Sequence, residues 1–315
     1  MNGSGDDLSP AEADRLERLR SARSLSALVP MTGAETEHDA YLAARREWRG
    51  LMERAVPAAA PSDDHLPGDA VVVDGRRFVV HGITHADTDA ERRYLREHVS
   101  GFLGAGETVF CEQGIRSMYF SDMPDACAMD DYRWALQECR KLDVDSHLDG
   151  GDPPDFDGLL ENLTGVAATF REATFSLLHS GADIYGREFA MALGDVATDF
   201  LTSHEDLARA REFEAFVRSK RAAEDPSTLG ELQRYYATVF LPQPVEREWL
   251  RRHDPELEVV SHGRSERMAD YAAFHADDAE TVHLVTGAAH QPGIVHYLER
   301  HRDGHRCAAD LELVE

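Results

Sequence analysis

Lysine is almost absent from this chain. Of 33 basic side chains only Lys141 and Lys220 are lysines, against 59 Asp and Glu, and the formal charge is -26 over 315 residues. That balance excludes a general nucleic-acid-binding role, which needs a basic face to neutralise phosphates. A dense carboxylate surface with little lysine suits a salt-loaded cytoplasm, where the surface stays hydrated and repulsion is screened. Cysteine is scarce too. Cys111, Cys127, Cys139 and Cys307 form no Cys-x-x-Cys pair, so a structural zinc ribbon is not expected, and the thiols read as reduced residues of a cytoplasmic protein. No apolar run approaches the length of a bilayer span. Residues 1–10 are too polar and acidic for a signal peptide.

What is present reads as two unlike parts. Ser9-Pro10-Ala11-Glu12 has the cap, the N1 proline and the N3 glutamate of a helix start. It predicts a helix to about residue 25, with a second over 37–54. Residues 57–68 are rich in Ala, Pro and Asp and read as a linker. Residues 1–68 are therefore expected to be an N-terminal helical appendage, and residues 69–315 the main domain.

That domain is expected to be α/β: a mixed, largely parallel sheet with flanking helices and a large helical insertion between its two halves. Val71-Val72-Val73, then Asp74-Gly75, then a second apolar run predict a hairpin with a type I′ turn. A helix over 87–102 and a strand over 108–111 follow. Residues 125–252 read as helical almost throughout, which sets the insertion at about 124–252. Within it Phe156, Leu159, Leu160, Leu163, Val166, Ala167 and Phe170 repeat at helical spacing. Strands are expected again over 256–260, 281–286 and 307–314, and helices over 264–275 and 292–301. The insertion's amphipathic helices offer a cover for the cleft or a surface for a homodimer.

The chemistry gathers at two stretches of one design, an apolar run ending in Gly-x-x-His. These are Gly82-Ile83-Thr84-His85 and Gly287-Ala288-Ala289-His290. With 23 Gly and 16 His in the chain, chance supplies about one such spacing, so the count alone means little. Position carries the signal. Each glycine ends a strand, where it permits a sharp turn or a positive φ, and each histidine then stands at a carboxyl end, where ligands collect in open α/β sheets. A third copy, Gly293-Ile294-Val295-His296, falls inside a helix and reads as noise. His81 and His283 lie within strands and read as structural.

Four strand ends then carry polar groups: His85, Glu112, the His262-Gly263-Arg264 run, and His290. If the strands are parallel, these groups converge on one edge. Two imidazoles and a carboxylate suit a divalent metal such as Mn, Co or Zn, with His85, Glu112 and His290 as ligands. Arg116 and Arg264 suit a substrate carboxylate or an oxyanion. Without a metal, His can serve as general base with Glu112 orienting it.

The same blocks resemble the TraB/TIKI superfamily, which includes TraB/PrgY-like and GumN-like proteins. The first Gly-x-x-His resembles its opening motif. Cys111-Glu112-Gln113-Gly114-Ile115-Arg116 resembles its strand ending in Glu with an Arg shortly after. Arg264-Ser265-Glu266-Arg267-Met268-Ala269 is similar to its Arg-Asn-x-x-Met-Ala block, with Ser265 where Asn is usual. The second Gly-x-x-His resembles its closing block. The resemblance covers about 70–125 and 255–315. It implies a metal-dependent, peptidase-like hydrolase acting on a peptide or small-molecule substrate, with Glu112, Arg116 and Arg264 in catalysis. Erythromycin esterase-like and ChaN-like proteins are thought to share that fold. The alternatives are a metal-independent esterase-like hydrolase, and a non-catalytic protein that binds haem or another small ligand or acts as a regulatory module through the helical insertion.

Overall fold

The structure, a computed structural model, describes residues 8–56, 65–142, 213–276 and 279–306. Its centre is a five-stranded sheet built from β1 (Asp69–Val73), β2 (Arg76–Ile83), β3 (Thr108–Cys111), β4 (Ala126–Ala128) and β5 (Thr281–Gly287), in the order β1-β2-β5-β3-β4. Only β1 runs antiparallel to its neighbour; the other pairings are parallel. The β1–β2 turn places Asp74 and Gly75 at φ 50° and 83°, the two left-handed positions that an Asp-Gly type I′ turn requires. The sheet is thus mixed and mostly parallel, as the sequence predicts.

The last described strand enters the middle of the sheet. β5 pairs with β2 on one side and β3 on the other. Ile83 is level with Gly287, and Cys111 with Val285. Three carboxyl ends therefore stand side by side, one strand spacing apart, roughly 5 Å. This order positions the site.

Helices cover both faces. On one face Ile83, Val109, Cys111 and Val285 pack against α4 (Asp89–Gly104), α5 (Gln113–Tyr119) and a later helix, Leu229–Val239. On the other, Phe78, Val80, Phe110, Val282 and Leu284 pack against helices Arg264–His275 and Gln291–Arg302. The pattern follows from strand periodicity, with alternate apolar residues feeding opposite cores.

The N-terminal residues form α1 (Pro10–Arg20), α2 (Leu25–Thr32) and α3 (Glu37–Ala55). Ser9 and Glu12 form the expected capping box. The first helix ends earlier than expected, because Ser24 caps a new one by accepting from Ala27 N. All three share a core with helix Gln243–His253, where Tyr41 stacks on Trp249 at 4.0 Å.

Two expectations are corrected. Residues 256–260, read as a strand from Val259-Val260, are helical: Pro255–Glu258, continued by a π-helical turn Val259–Gly263. Asp254 starts it, its Oδ1 accepting from Leu257 N at 2.9 Å, and Pro255 suits N1. The local cap outweighs the β-branched pair. Conversely, β4 lies inside the stretch read as helical. It pairs three residues with β3 beyond the short helix α5.

The insertion is described only at its ends. α6 (Tyr132–Leu142) precedes the gap; α7 (Phe213–Glu224), α8 (Leu229–Val239) and α9 (Gln243–His253) follow it. α10 is Pro255–Glu258, α11 Arg264–His275 and α12 Gln291–Arg302. The amphipathic stretch over 156–170, most of the proposed dimer surface and the strand expected over 307–314 lie outside the described residues. No described helix is long and apolar enough to cross a membrane.

Candidate functional site

Gly287 marks the centre. A Cβ built on it would lie 3.3 Å from His85 Nε2, 3.5 Å from Glu112 Oε2 and 3.6 Å from His290 Cδ2. Each group follows the end of a different strand: His85 after β2, Glu112 after β3, His290 after β5. His85 Nε2 and Glu112 Oε2 are 3.5 Å apart. The convergence follows from the β2-β5-β3 order.

The two motif glycines do a different job from the one expected. Neither Gly82 nor Gly287 has positive φ; His85 itself does, at 63°. The glycines supply room. A Cβ at Gly82 would fall 2.4 Å from Gln291 Oε1 and 2.7 Å from Ala288 Cα, so Gly82 lets the β5–α12 connection close over the end of β2. The left-handed strain falls on the histidine instead, a placement common at functional sites.

Glu112 is buried and held on both oxygens. Oε1 accepts from Arg264 Nη2 at 2.6 Å, and Oε2 accepts from Gly287 N at 2.8 Å. Burial pushes its carboxyl up, but the Arg264 guanidinium, aided by His85, outweighs burial and holds it well below the usual carboxylate range. Arg264 Nη2 also donates to Asp131 Oδ2 at 2.7 Å, and its guanidinium carbon lies 3.8 Å from the Tyr132 ring centre, a cation–π contact. Burial raises Asp131, with Arg264 opposing and Glu112 adding to the rise. One guanidinium thus faces two buried carboxylates.

His290 is fixed by its own partners. Its Nδ1 lies 3.0 Å from Ser265 Oγ, and Ser265 Oγ donates to Ser261 O at 2.9 Å. A hydroxyl has one hydrogen. Ser265 therefore accepts from His290 Nδ1–H, and Nε2 of the neutral ring carries the lone pair. Burial pushes this histidine down to about 4, against the pull of Glu112. The π-helical turn matters here: it presents Ser261 beneath Ser265 and carries the chain straight into Arg264. π turns are frequent at such places.

The structure thus brings together His85, Glu112, His290 and Arg264. Arg264 reaches the site from a helix start, not from the strand end expected for the 262–264 run. Arg116 lies elsewhere in its contacts, its Nε donating to Ala126 O at 2.6 Å and tying α5 to β4. His262 is buried, with Nδ1 2.6 Å from Gln243 Oε1. His81 and His283 sit in the sheet, with 2.9 Å between His81 Nε2 and His283 Nδ1. Sequence reasoning missed Asp131, the role of Ser265, and Glu91. Only Glu91 carried a usable signal, the Thr88-x-x-Glu91 capping-box spacing.

Among the described residues, no group of three or more His, Cys, Asp or Glu side chains is arranged to hold a metal ion. No protein-family model, curated protein or solved structure matches this chain.

Proposed function

We propose that the chain is a hydrolase, peptidase-like in its chemistry, whose site is His85, Glu112 and His290 around Gly287 with Arg264 behind them. The observation that carries the reading is the convergence of three strand-end groups on the space a Gly287 Cβ would fill. The TraB/TIKI resemblance belongs to this proposal and rests on the motifs alone.

A divalent metal is part of the proposal: the donor types suit one, although the three side chains are not arranged as a ligand set in this structure. Glu112 is ionised, His290 is neutral with its lone pair on Nε2, and one Arg264 guanidinium faces two buried carboxylates. Two ligands of one tetrahedral zinc stand roughly 3.4 Å apart, close to the 3.5 Å between His85 Nε2 and Glu112 Oε2. His85, Glu112 and His290 would hold the ion, which supplies Lewis acidity toward a carbonyl. Arg264 and Gly287 N–H orient the Glu112 carboxylate. Ser265 keeps the His290 lone pair on Nε2. The free thiols Cys111, Cys127 and Cys139 support a reducing, cytoplasmic setting.

One observation favours a metal-free reading: both Glu112 oxygens already accept hydrogen bonds. There His290 acts as general base with no ion between them. Metal analysis of the purified protein, with hydrolysis of unstructured peptides and simple esters before and after chelation, separates the two. Bound Mn, Co or Zn with chelator-sensitive hydrolysis is the expected result. Hydrolysis that survives metal removal overturns the metal role. No hydrolysis by metal-loaded protein, on either substrate class, overturns the reading.

A further inference from the structure

Glu91 is a carboxylate with 0% exposure, on the first turn of α4. Thr88 Oγ1 accepts from Glu91 N at 3.1 Å, the first half of a capping box. The Glu91 side chain does not complete the box at Thr88. It reaches further back and collects five donors. Oε1 accepts from Thr84 N at 2.9 Å and from Thr84 Oγ1 at 2.5 Å. Oε2 accepts from Ala86 N at 3.1 Å, from Asp87 N at 3.2 Å and from the Tyr119 hydroxyl. Asp87 N is shared with Tyr119 Oη at 2.8 Å.

These donors bracket His85 on both sides. The residues they hold include two left-handed positions, His85 at φ 63° and Asp87 at φ 56°. A non-glycine residue in that region costs roughly 1 kcal/mol or more, so two in one short loop persist only when something over-determines the backbone. Glu91 supplies that restraint from a rigid helix, and Tyr119 locks it from α5.

We infer that Glu91 is the positioning residue of His85: a buried carboxylate that holds the 84–87 loop in the conformation that aims the imidazole at Gly287 and Glu112. The importance of that aim rests on the proposed hydrolase reading; the positioning itself does not. Glu91→Gln tests it, because the side-chain amide keeps the size and turns an NH2 toward donors.

The readout is NMR of the full-length protein. In the wild type the His85 ring shows a cross-peak to the Gly287 α protons. In Glu91→Gln that cross-peak is lost and the Thr84, Ala86 and Asp87 amide protons shift upfield, while the His290 to Ser265 cross-peak stays. Affinity for Mn or Zn, measured by calorimetry, falls about 10- to 100-fold. Retention of the His85 cross-peak and amide shifts overturns the inference. So does loss of both histidines' contacts together, which marks general loosening. If Glu91→Gln does not fold, Thr84→Val decides. It removes one of the five donors, and a weakened His85 cross-peak supports the inference where an unchanged one overturns it. A wild type that binds no metal and hydrolyses nothing sinks the hydrolase reading alone, because the cross-peak needs neither metal nor substrate.

Discussion

The two Gly-x-x-His copies share a spacing and almost nothing else. In the first, the chain leaves β2 into a loop, His85 takes a left-handed backbone, and its side chain remains 17% exposed. In the second, the chain turns at once into α12, and His290 is a right-handed residue at φ -82°, desolvated enough to hold its proton affinity down to about 4. One imidazole is restrained through its backbone, by Glu91. The other is restrained through its ring, by Ser265. The glycines differ as well: Gly82 makes room for neighbouring backbone, Gly287 for the site itself. One Gly-x-x-His spacing thus encodes a loop histidine and a helix-start histidine that meet across three strands.

The sharpest way to break this comparison is to add one methyl to each glycine. At Gly82 the new Cβ meets Ala288 Cα at 2.7 Å. Backbone cannot swing aside, so Gly82→Ala should cost about 3 kcal/mol, within the range for overpacking a tight core. At Gly287 the nearest atoms are side-chain atoms of the site at 3.3 to 3.6 Å. Gly287→Ala should therefore keep stability within about 1 kcal/mol while lowering hydrolysis about 100-fold, the effect of displacing reacting groups by roughly 1 Å. Urea unfolding and kinetics on the two variants read this directly. Equal stability losses, or an active Gly287→Ala, would remove the distinction.

Next in size is the ring restraint on His290. Ser265→Ala removes the acceptor at Nδ1, frees the ring to place its proton on either nitrogen, and should lower kcat about 10-fold with KM little changed. Ser265→Asn, which restores an oxygen acceptor, should recover part of the loss. If Ser265→Ala leaves kcat intact, the tautomer of His290 is not fixed by this contact.

Much of this arrangement is legible in the sequence, and the illegible part has a physical reason. Strand ends are announced by local signals: β-branched runs, then glycine. Those signals alone put His85, Glu112 and His290 at strand ends. The order β2-β5-β3 is a tertiary fact, and only it makes the three groups neighbours. The run at 262–264 reads as a strand end because Val259-Val260 favours a strand locally, whereas Asp254-Pro255 caps a helix and packing completes it. Asp131 carries no pattern at all; it matters because Arg264 reaches it across 133 residues of chain. Glu91 was announced by its cap spacing, yet its target is the loop behind the cap, which spacing cannot show.

The buried histidines give the comparison a pH axis. Burial holds His290 at about 4, and His81 and His262 at about 3, against 6.5 when unfolded. Each folded value lies below its unfolded one, so the unfolded chain binds more protons between them. Stability is fully present above about pH 6.5 and falls as pH drops toward 4, by about 1.4 kcal/mol per pH unit for each ring. His290→Gln should flatten that slope by one proton. Urea unfolding at pH 7, 6 and 5 measures it, and an unchanged slope would mean His290 is not held neutral by burial.

The smallest effect is also the most discriminating. If His85 occupies a left-handed backbone for the sake of its imidazole, glycine should be more comfortable there than histidine. His85→Gly removes a partly exposed ring and relieves the φ of 63°, against which glycine gives back some of the gain by loosening the unfolded chain. The net expectation is a stabilisation of about 1 kcal/mol or slightly less, together with loss of hydrolysis. The matching change His290→Gly has no left-handed strain to relieve and removes a desolvated ring held by Ser265, so it should destabilise. Opposite signs from the same substitution at the two copies would show that the first histidine is kept at the expense of stability and the second contributes to it. Matching signs would mean that the loop conformation at His85 is not held by strain-opposing contacts, and the division between backbone and ring restraint would fall.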